Sequence, residues 1–327
     1  LYPYLDFLIR LVGQGAYLQM QDGLLWAIPL IPFHAVLVAG VLRVVSGRAF
    51  ADLYVAAACA MGATVLLGLL TDDGIQPLAL LWDGRMGLKV LYRFDALVLG
   101  RSGLSLMVGG ICYPFRHYVA RMGLVCVGLY VLSTAGFAWQ ARGVGYDYAE
   151  AKGLEAMVVR ALPQPLSPMN WRVLVEDGTG HVHEAMVNLK RKAAVKLPEE
   201  GATRAARIDA LYKPVHMAVW RVVDRYGREG EDAAEIRTRA ERAWRAWMET
   251  PFGWYGRYAV YDGVLEKPLG GGSAVCVRFV DIRFDGARDR ANGEYVVCPA
   301  ENGRARVFRP RGEGFVEVVP VMSVDTV

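Results

Sequence analysis

Long apolar stretches without charged residues dominate the first 142 positions of the chain. Residues 24–42 and 53–70 contain no Asp, Glu, Lys or Arg, and each has about the length that crosses a ~30 Å hydrocarbon core. Residues 122–139 form a third such stretch, and residues 95–113 a weaker fourth, because Arg101 lies within it. The pattern therefore predicts a membrane α-helical bundle with three or four spans.

Two further segments of this region read as membrane-surface elements. Residues 1–17 are amphipathic, which is typical of a helix that lies in the interface. Residues 76–94 mix apolar residues with charges, which indicates an interfacial or re-entrant segment.

Beyond residue 142 the pattern changes to that of a soluble α+β domain with a mainly antiparallel sheet. Residues 149–162 have helical spacing, and Pro163, Pro165 and Pro168 then favour an extended linker. A hairpin is predicted for residues 171–176 and 181–190, and amphipathic helices for residues 214–226 and 232–250. Alternation predicts strands at residues 255–266, 273–284, 294–299, 305–308 and 314–319. The predicted divisions are 1–142 (transmembrane), 143–170 (helix and Pro-rich linker) and 171–327 (soluble domain).

Charge supports this division. Residues 1–142 carry seven acidic and ten basic residues, whereas the remainder carries 26 and 27. An apolar region followed by a region rich in charged residues is typical of a membrane anchor with a soluble domain. The net charge of +4 is small and dispersed, so nucleic acid is not an expected partner.

The chain begins with Leu1, so we expect an absent initiator or upstream segment, or a non-standard start codon. No signal peptide with a basic n-region and a cleavage site is apparent. Counting the basic residues of the loops does not settle which side of the membrane holds the soluble domain.

The five cysteines fall into two groups. Cys59, Cys112 and Cys126 lie in apolar stretches, where cysteine usually serves as a small core residue. Cys276 and Cys298 lie in predicted neighbouring strands. A disulfide between them is an alternative to two thiols if the domain faces an oxidising compartment.

Searches for chemistry-bearing motifs give little. Glycine clusters lack the context of a nucleotide loop, and no GxSxG elbow occurs. His181 and His183 alternate on one predicted strand face, but without a third ligand nearby we interpret them as exposed strand histidines.

Several segments resemble the membrane-bound metal-dependent hydrolase family of the LexA-regulated bacterial inner-membrane type. The opening LYPYLDFL is similar to that family's Pro-Asp-x-Asp motif, with Pro3 and Asp6 matching and Tyr4 in the place of an Asp. PQPLSPMNWRV (163–173) and FVDIRF (279–284) resemble its soluble-domain marks. The resemblance implies a multi-pass protein of the bacterial inner membrane.

The positions that would carry metal ligands are altered. The family's His-Arg-Gly-x-Thr-His-Ser run corresponds to residues 21–27, where Gln21 and Trp26 stand in the histidine places. A later His-x-x-x-Asp-x-x-Thr-x-x-Gly motif has Thr64 and Gly68 in its two ligand places. A hydrolytic metal site needs imidazoles or carboxylates around an open coordination position. The resemblance therefore implies a scaffold with degenerate ligand places at Tyr4, Gln21, Trp26, Thr64 and Gly68.

Two functions follow as hypotheses. The favoured one is a non-catalytic integral membrane protein, an accessory or structural subunit of a larger membrane complex, with membrane lipids and other subunits as partners and no cofactor. The alternative is an active metal-dependent hydrolase with an altered carboxylate site, in which Asp6, Asp72, Asp73 and Asp95 hold a divalent metal ion. A weaker third hypothesis is a pore or transporter, because Asp95 and Arg101 are charges within a span. The alternative is that these two charges pair with each other or snorkel to the membrane surface.

Overall fold

A computed structural model describes residues 27–78, 81, 84–92, 95–195, 201–227, 233–250, 252–269, 272–284, 293–299, 305–311 and 314–318. The amphipathic segment predicted for residues 1–17 lies outside these residues. The chain divides into two compact units. We call residues 63–75 and 86–222 the N-sheet unit, and residues 1–62, 76–85 and 223–327 the C-sheet unit.

Four long helices occupy the apolar stretches: α1 (Ile31–Ser46, after a 3-10 turn at Ile28–Leu30), α2 (Phe50–Leu70), α3 (Ala96–Ile111) and α4 (Arg116–Lys152). By length and composition, three segments of the described ranges can cross a membrane: 28–46, 50–70 and 113–152. The prediction of three apolar helices of spanning length is confirmed. The segment predicted as the weaker fourth span, α3, has 16 residues, or about 24 Å at 1.5 Å per residue.

The N-sheet unit is organised around α4, which has 37 residues and is about 55 Å long. Its second half covers a sheet of β1 (Ala156–Pro163), β2 (Asn170–Asp177), β3 (His181–Asn188) and β4 (Lys213–Pro214), with β5 (Arg221–Asp224) also paired to β3. The pairs β1–β2 and β2–β3 are antiparallel, and the short β3–β4 pair is parallel. A short helix, α5 (Arg204–Asp209), precedes β4. The boundary predicted at residues 142/143 falls inside α4.

The contact between α4 and its sheet depends on small helix residues. Ala138 and Ala141 are buried against Trp171 and Val173 of β2. A Cβ at Gly145 would lie 2.5 Å from Val159 Cγ1 and 3.0 Å from Val173 Cγ1. Glycine at this position therefore sets how closely the helix approaches β1 and β2.

Two segments predicted as helical differ in the structure. Of residues 149–162, only those up to Lys152 are helical, and β1 begins at Ala156. Residues 214–226 contain a 3-10 turn (Val215–Met217) and β5 instead of a helix. In both segments, pairing with β2 or β3 satisfies the backbone and outweighs the local helical spacing.

The C-sheet unit contains α6 (Ala233–Met248), α7 (Gly253–Gly256) and an antiparallel sheet in the order β10-β9-β8-β7-β6. The strands are β6 (Ala259–Leu269), β7 (Gly272–Asp281), β8 (Glu294–Pro299), β9 (Ala305–Arg311) and β10 (Gly314–Glu317). Trp247 of α6 is fully buried, and its ring centroid lies 4.8 Å from that of Tyr295 and 5.8 Å from that of Phe279. These elements confirm the predicted mainly antiparallel sheet.

The other face of this sheet is also buried. Cys276 and Cys298 lie directly opposite each other on β7 and β8 and form a disulfide. Their Cα atoms are 4.3 Å apart, which is typical of a non-hydrogen-bonded antiparallel pair. The Nζ atom of Lys267 on β6 lies 5.4 Å from the ring centroid of Phe315 on β10. Because β6 and β10 are the outer strands, this contact means that the sheet is curled around the disulfide.

Candidate functional site

The positions that the family resemblance assigned to metal ligands fall partly outside the described residues. Tyr4, Asp6, Gln21 and Trp26 all lie there. Thr64 and Gly68 lie on α2. A Cβ at Gly68 would stand 2.7 Å from Ile75 Cγ2, so Ile75 occupies the space beside this degenerate ligand place.

Asp72 and Asp73 lie in the segment that folds back after α2. Residues 71–91 include a bridge in which Ile75 and Met86 exchange two backbone hydrogen bonds of 2.9 Å. Leu88 and Leu91 donate backbone hydrogen bonds to Leu69 and Leu70 at the end of α2. Asp72, which lies in this fold-back, is buried with 8% exposure. The segment predicted as interfacial or re-entrant is divided between the units at Arg85 and Met86.

Asp95 begins α3 and is already hydrogen-bonded. Its Oδ1 accepts from the backbone N–H groups of Leu97 (2.9 Å) and Val98 (3.1 Å), which makes it the N-cap of α3. Its Oδ2 accepts from the hydroxyl of Tyr130 on α4 at 2.8 Å. A cation at this carboxylate would compete with three donors, so the geometry favours a structural role.

Arg101, the other charge of this helix pair, lies over the Tyr130 ring at 4.6 Å from its centroid. One tyrosine therefore contacts both charges through different parts of its side chain: the hydroxyl faces the carboxylate, and the ring face meets the guanidinium. The sequence hypothesis that these charges pair with each other misses Tyr130. A tyrosine within an apolar stretch is the signal that could have drawn attention to it.

Within the described part of the chain, no group of three or more His, Cys, Asp or Glu side chains is arranged to hold a metal ion. Asp72, Asp73 and Asp95 therefore do not form a metal-ligand set among these described residues. Asp6 lies outside them, so the four-carboxylate hypothesis stays a prediction.

A second polar cluster forms at the far end of the N-sheet unit, where α4 ends. The Tyr148 hydroxyl and His183 Nδ1 are 3.0 Å apart, and the Tyr148 ring stacks on Trp220 with centroids 3.7 Å apart. His183 Nε2 lies 3.6 Å from Asp177 Oδ2, and His181 Nδ1 lies 3.3 Å from the same atom. His183 is buried and His181 is half-buried, so the interpretation of both as exposed strand histidines is wrong for His183.

Asp177 organises the β2–β3 turn through its side chain. Burial alone would raise the pKa of its carboxyl, but hydrogen bonds from the Thr179 hydroxyl and from the backbone N–H groups of His181 and Thr179 outweigh it, so the pKa is lowered. The cluster can therefore keep a carboxylate between two imidazoles over a wide pH range.

The neighbouring Glu184 is buried between two arginines. Its Oε1 lies 3.3 Å from Arg172 Nε, and its Oε2 accepts from Arg221 Nε at 3.0 Å. All three side chains lie on paired strands, so this network ties β2, β3 and β5 together. Nothing in the local sequence pattern predicts this network, because Arg221 is 37 positions from Glu184 along the chain.

The comparisons with known proteins assign nothing. No protein-family model, no curated protein and no solved structure matches the chain.

Proposed function

We propose that this chain is a non-catalytic, multi-pass protein of the bacterial inner membrane that serves as an accessory or structural subunit of a larger membrane protein complex. Membrane insertion is supported by the large apolar side chains that α1 and α4 expose. Val44 is 88% exposed, Leu124 74% and Leu132 69%. A soluble monomer rarely leaves so many large apolar side chains along one helix in water, and a helix satisfies its own backbone in lipid.

The subunit role is carried by one observation on α3. Ideal Cβ positions at Gly100, Gly103 and Gly110 have no atom within 4 Å, so this short helix presents open glycines among its exposed leucines. Small residues let another helix approach closely in a membrane, where dispersion and backbone contacts drive association. Asp95 supports the non-catalytic part of the proposal, because its carboxylate oxygens already accept hydrogen bonds from the start of α3 and from Tyr130.

Orientation follows as part of the proposal. The basic residues counted over all loops do not settle the orientation, so the proposal takes it from one turn together with the disulfide. The turn between α3 and α4 is followed by Arg116 and Arg121 in the first turns of α4, with no acidic residue in residues 112–121, which favours a cytoplasmic location for this turn. The chain after α4 then lies outside the cytoplasm. The Cys276–Cys298 disulfide agrees with this side, because disulfides persist in oxidising compartments.

The test is copurification of the full chain in a mild detergent, compared with a Gly103→Leu variant. We expect a stoichiometric membrane partner with the wild-type chain and its loss from the variant, with Gly143→Ala as a control substitution on α4. A chain that migrates alone as a monomer contradicts the subunit role. Elemental analysis of the same sample tests the hydrolase alternative: stoichiometric zinc or manganese that is lost in Asp72→Ala would overturn the proposal.

A further inference from the structure

The direction in which the first sheet runs along α4 can be read from three contacts. Trp171, at the start of β2, packs with Ala138 of α4. Val175 lies beside the Cβ position of Gly145, and His183, the partner of Val175 on β3, meets Tyr148. The start of β2 and the end of β3 are therefore directed toward the apolar part of α4, and the Asp177 turn is directed away from it.

The apolar part of α4 ends close to this contact. Trp139 is 80% exposed, and Gln140 and Arg142 follow it. Exposed tryptophan at the end of an apolar helix is typical of the membrane–water interface. The loops that leave β1 and β3 at this end are then at about the depth of the lipid headgroups, a layer roughly 6 Å thick on each side of the hydrocarbon core.

The segment after β3 is held so that two lysines point outward. Asn188 Oδ1 accepts from the backbone N–H groups of Lys190 (3.1 Å) and Arg191 (2.9 Å). The Arg191 guanidinium turns inward to Asp209 Oδ2 (2.7 Å) and to the carbonyl oxygen of Tyr212 (2.7 Å). Lys190 and Lys192, on either side of it, are exposed.

Exposed apolar side chains lie beside these lysines. Leu189 donates its backbone N–H to the carbonyl of Met169 at 3.0 Å, which joins this segment to the β1–β2 loop, where Leu166 is 57% exposed. Val195 is 40% exposed and Leu211, beside the Arg191 anchor, is 53% exposed. Basic residues interspersed with apolar ones are typical of surfaces that enter the headgroup layer.

We propose that Lys190 and Lys192, together with Leu166, Val195 and Leu211, form a surface that binds the anionic phospholipid headgroups of the membrane that α4 spans. We call these five residues the lysine collar. The proposal rests on the membrane insertion proposed above. The anchored Arg191 gives the collar a fixed height on the helix, so that lipid contact orients the N-sheet unit against the bilayer.

The position of the collar is tested with depth-dependent fluorescence quenching in nanodiscs that contain phosphatidylglycerol and spin-labelled lipids. Three single-thiol forms of the full chain are compared. One keeps native Cys126, which is exposed on α4; the others carry Val195→Cys or Gly178→Cys in a background of Cys59→Ala, Cys112→Ala and Cys126→Ala. A Cβ at Gly178, in the distal turn, meets no atom within 4 Å, so this form serves as the matched control.

We expect deep quenchers to act on the Cys126 label, shallow quenchers to act on the label at position 195, and neither to act on position 178. An unquenched label at 126 would contradict membrane insertion itself. Quenching at 126 without quenching at 195 would overturn the collar and leave the proposed function standing.

The lipid preference is tested by titrating phosphatidylglycerol or phosphatidylcholine into the detergent-solubilised full chain. Each lysine near an anionic surface contributes about fivefold in affinity, so the double variant Lys190→Gln, Lys192→Gln should bind phosphatidylglycerol roughly 25-fold more weakly. Lys152→Gln, about 21 Å beyond Ala138 along α4, should match the wild-type chain. Equal binding of the two lipids, or an unchanged double variant, would overturn the proposal. A double variant that binds phosphatidylglycerol as the wild-type chain does, but no longer binds an acidic protein, would identify the collar as a protein interface and overturn the proposal.

Discussion

The hydroxyl of Tyr130 donates a 2.8 Å hydrogen bond to the carboxylate of Asp95, which joins the middle of α4 to the N-terminus of α3. The same carboxylate caps α3, so one side chain both begins a helix and fixes its partner. The membrane insertion proposed above would make these bonds hard to replace, because hydrocarbon holds no water that could take their place.

Tyr130→Phe tests that relationship. The variant keeps the ring that stacks on Arg101 and removes only the hydroxyl, so we expect a loss of about 1 kcal/mol in the free energy of unfolding. Thermal unfolding of the detergent-solubilised chain measures the change. Tyr118→Phe is the matched control, because Tyr118 is 67% exposed on α4. Equal melting temperatures for the two variants would show that the bond contributes nothing.

Two glycines of α4 should respond in opposite directions to alanine. At Gly143 a Cβ meets no atom within 4 Å, so Gly143→Ala should stabilise the chain by up to about 1 kcal/mol through helix propensity. At Gly145 the new Cβ would press on Val159 and Val173, and overpacking of about 1–3 kcal/mol should exceed that gain. Thermal melts of the two variants check the difference in sign. Stabilisation by both substitutions would mean that α4 is not packed closely on the sheet.

The thiol content distinguishes the disulfide from two free cysteines. The denatured, non-reduced chain should show three reactive thiols of its five cysteines, from Cys59, Cys112 and Cys126. Removing the bridge with Cys276→Ala and Cys298→Ala should lower the free energy of unfolding by about 3 kcal/mol, because a closed loop of this size restricts the unfolded chain. Five thiols in protein isolated from its native membrane would contradict both the bridge and the proposed orientation.

Acid should weaken the β2–β3 turn through Asp177. Its folded pKa lies below the ordinary 3.8, so its stabilisation is fully present above about pH 4 and is lost as the pH falls through the lowered value. At pH 7, Asp177→Asn should therefore lower the free energy of unfolding by about 1 kcal/mol, because the charged acceptor is lost, and the variant should melt at a lower temperature than the wild-type chain. This difference in stability should shrink in acid. Asp147→Asn, at an exposed position on α4, serves as the control. A difference that is constant from pH 7 to pH 3 would exclude this role.

Apolar length and strict alternation are local properties, so the sequence by itself determined the elements that depend on them. α2 (Phe50–Leu70) follows its uncharged stretch, α6 (Ala233–Met248) follows its amphipathic pattern, and β8 (Glu294–Pro299) has its predicted bounds. The opposition of Cys276 and Cys298 could also be raised as an alternative, because both lie on predicted neighbouring strands.

Tertiary structure alone decided the rest. Residues 156–163 could continue a helix or pair with β2, and the pairing of Val159 with Val175 makes them a strand. The contacts of Asp95 with Tyr130, of Tyr148 with His183 and of Glu184 with Arg221 join residues about 35 positions apart. No periodicity within one segment encodes such pairs, because they arise only when helices and strands pack and each buried polar group must find a partner.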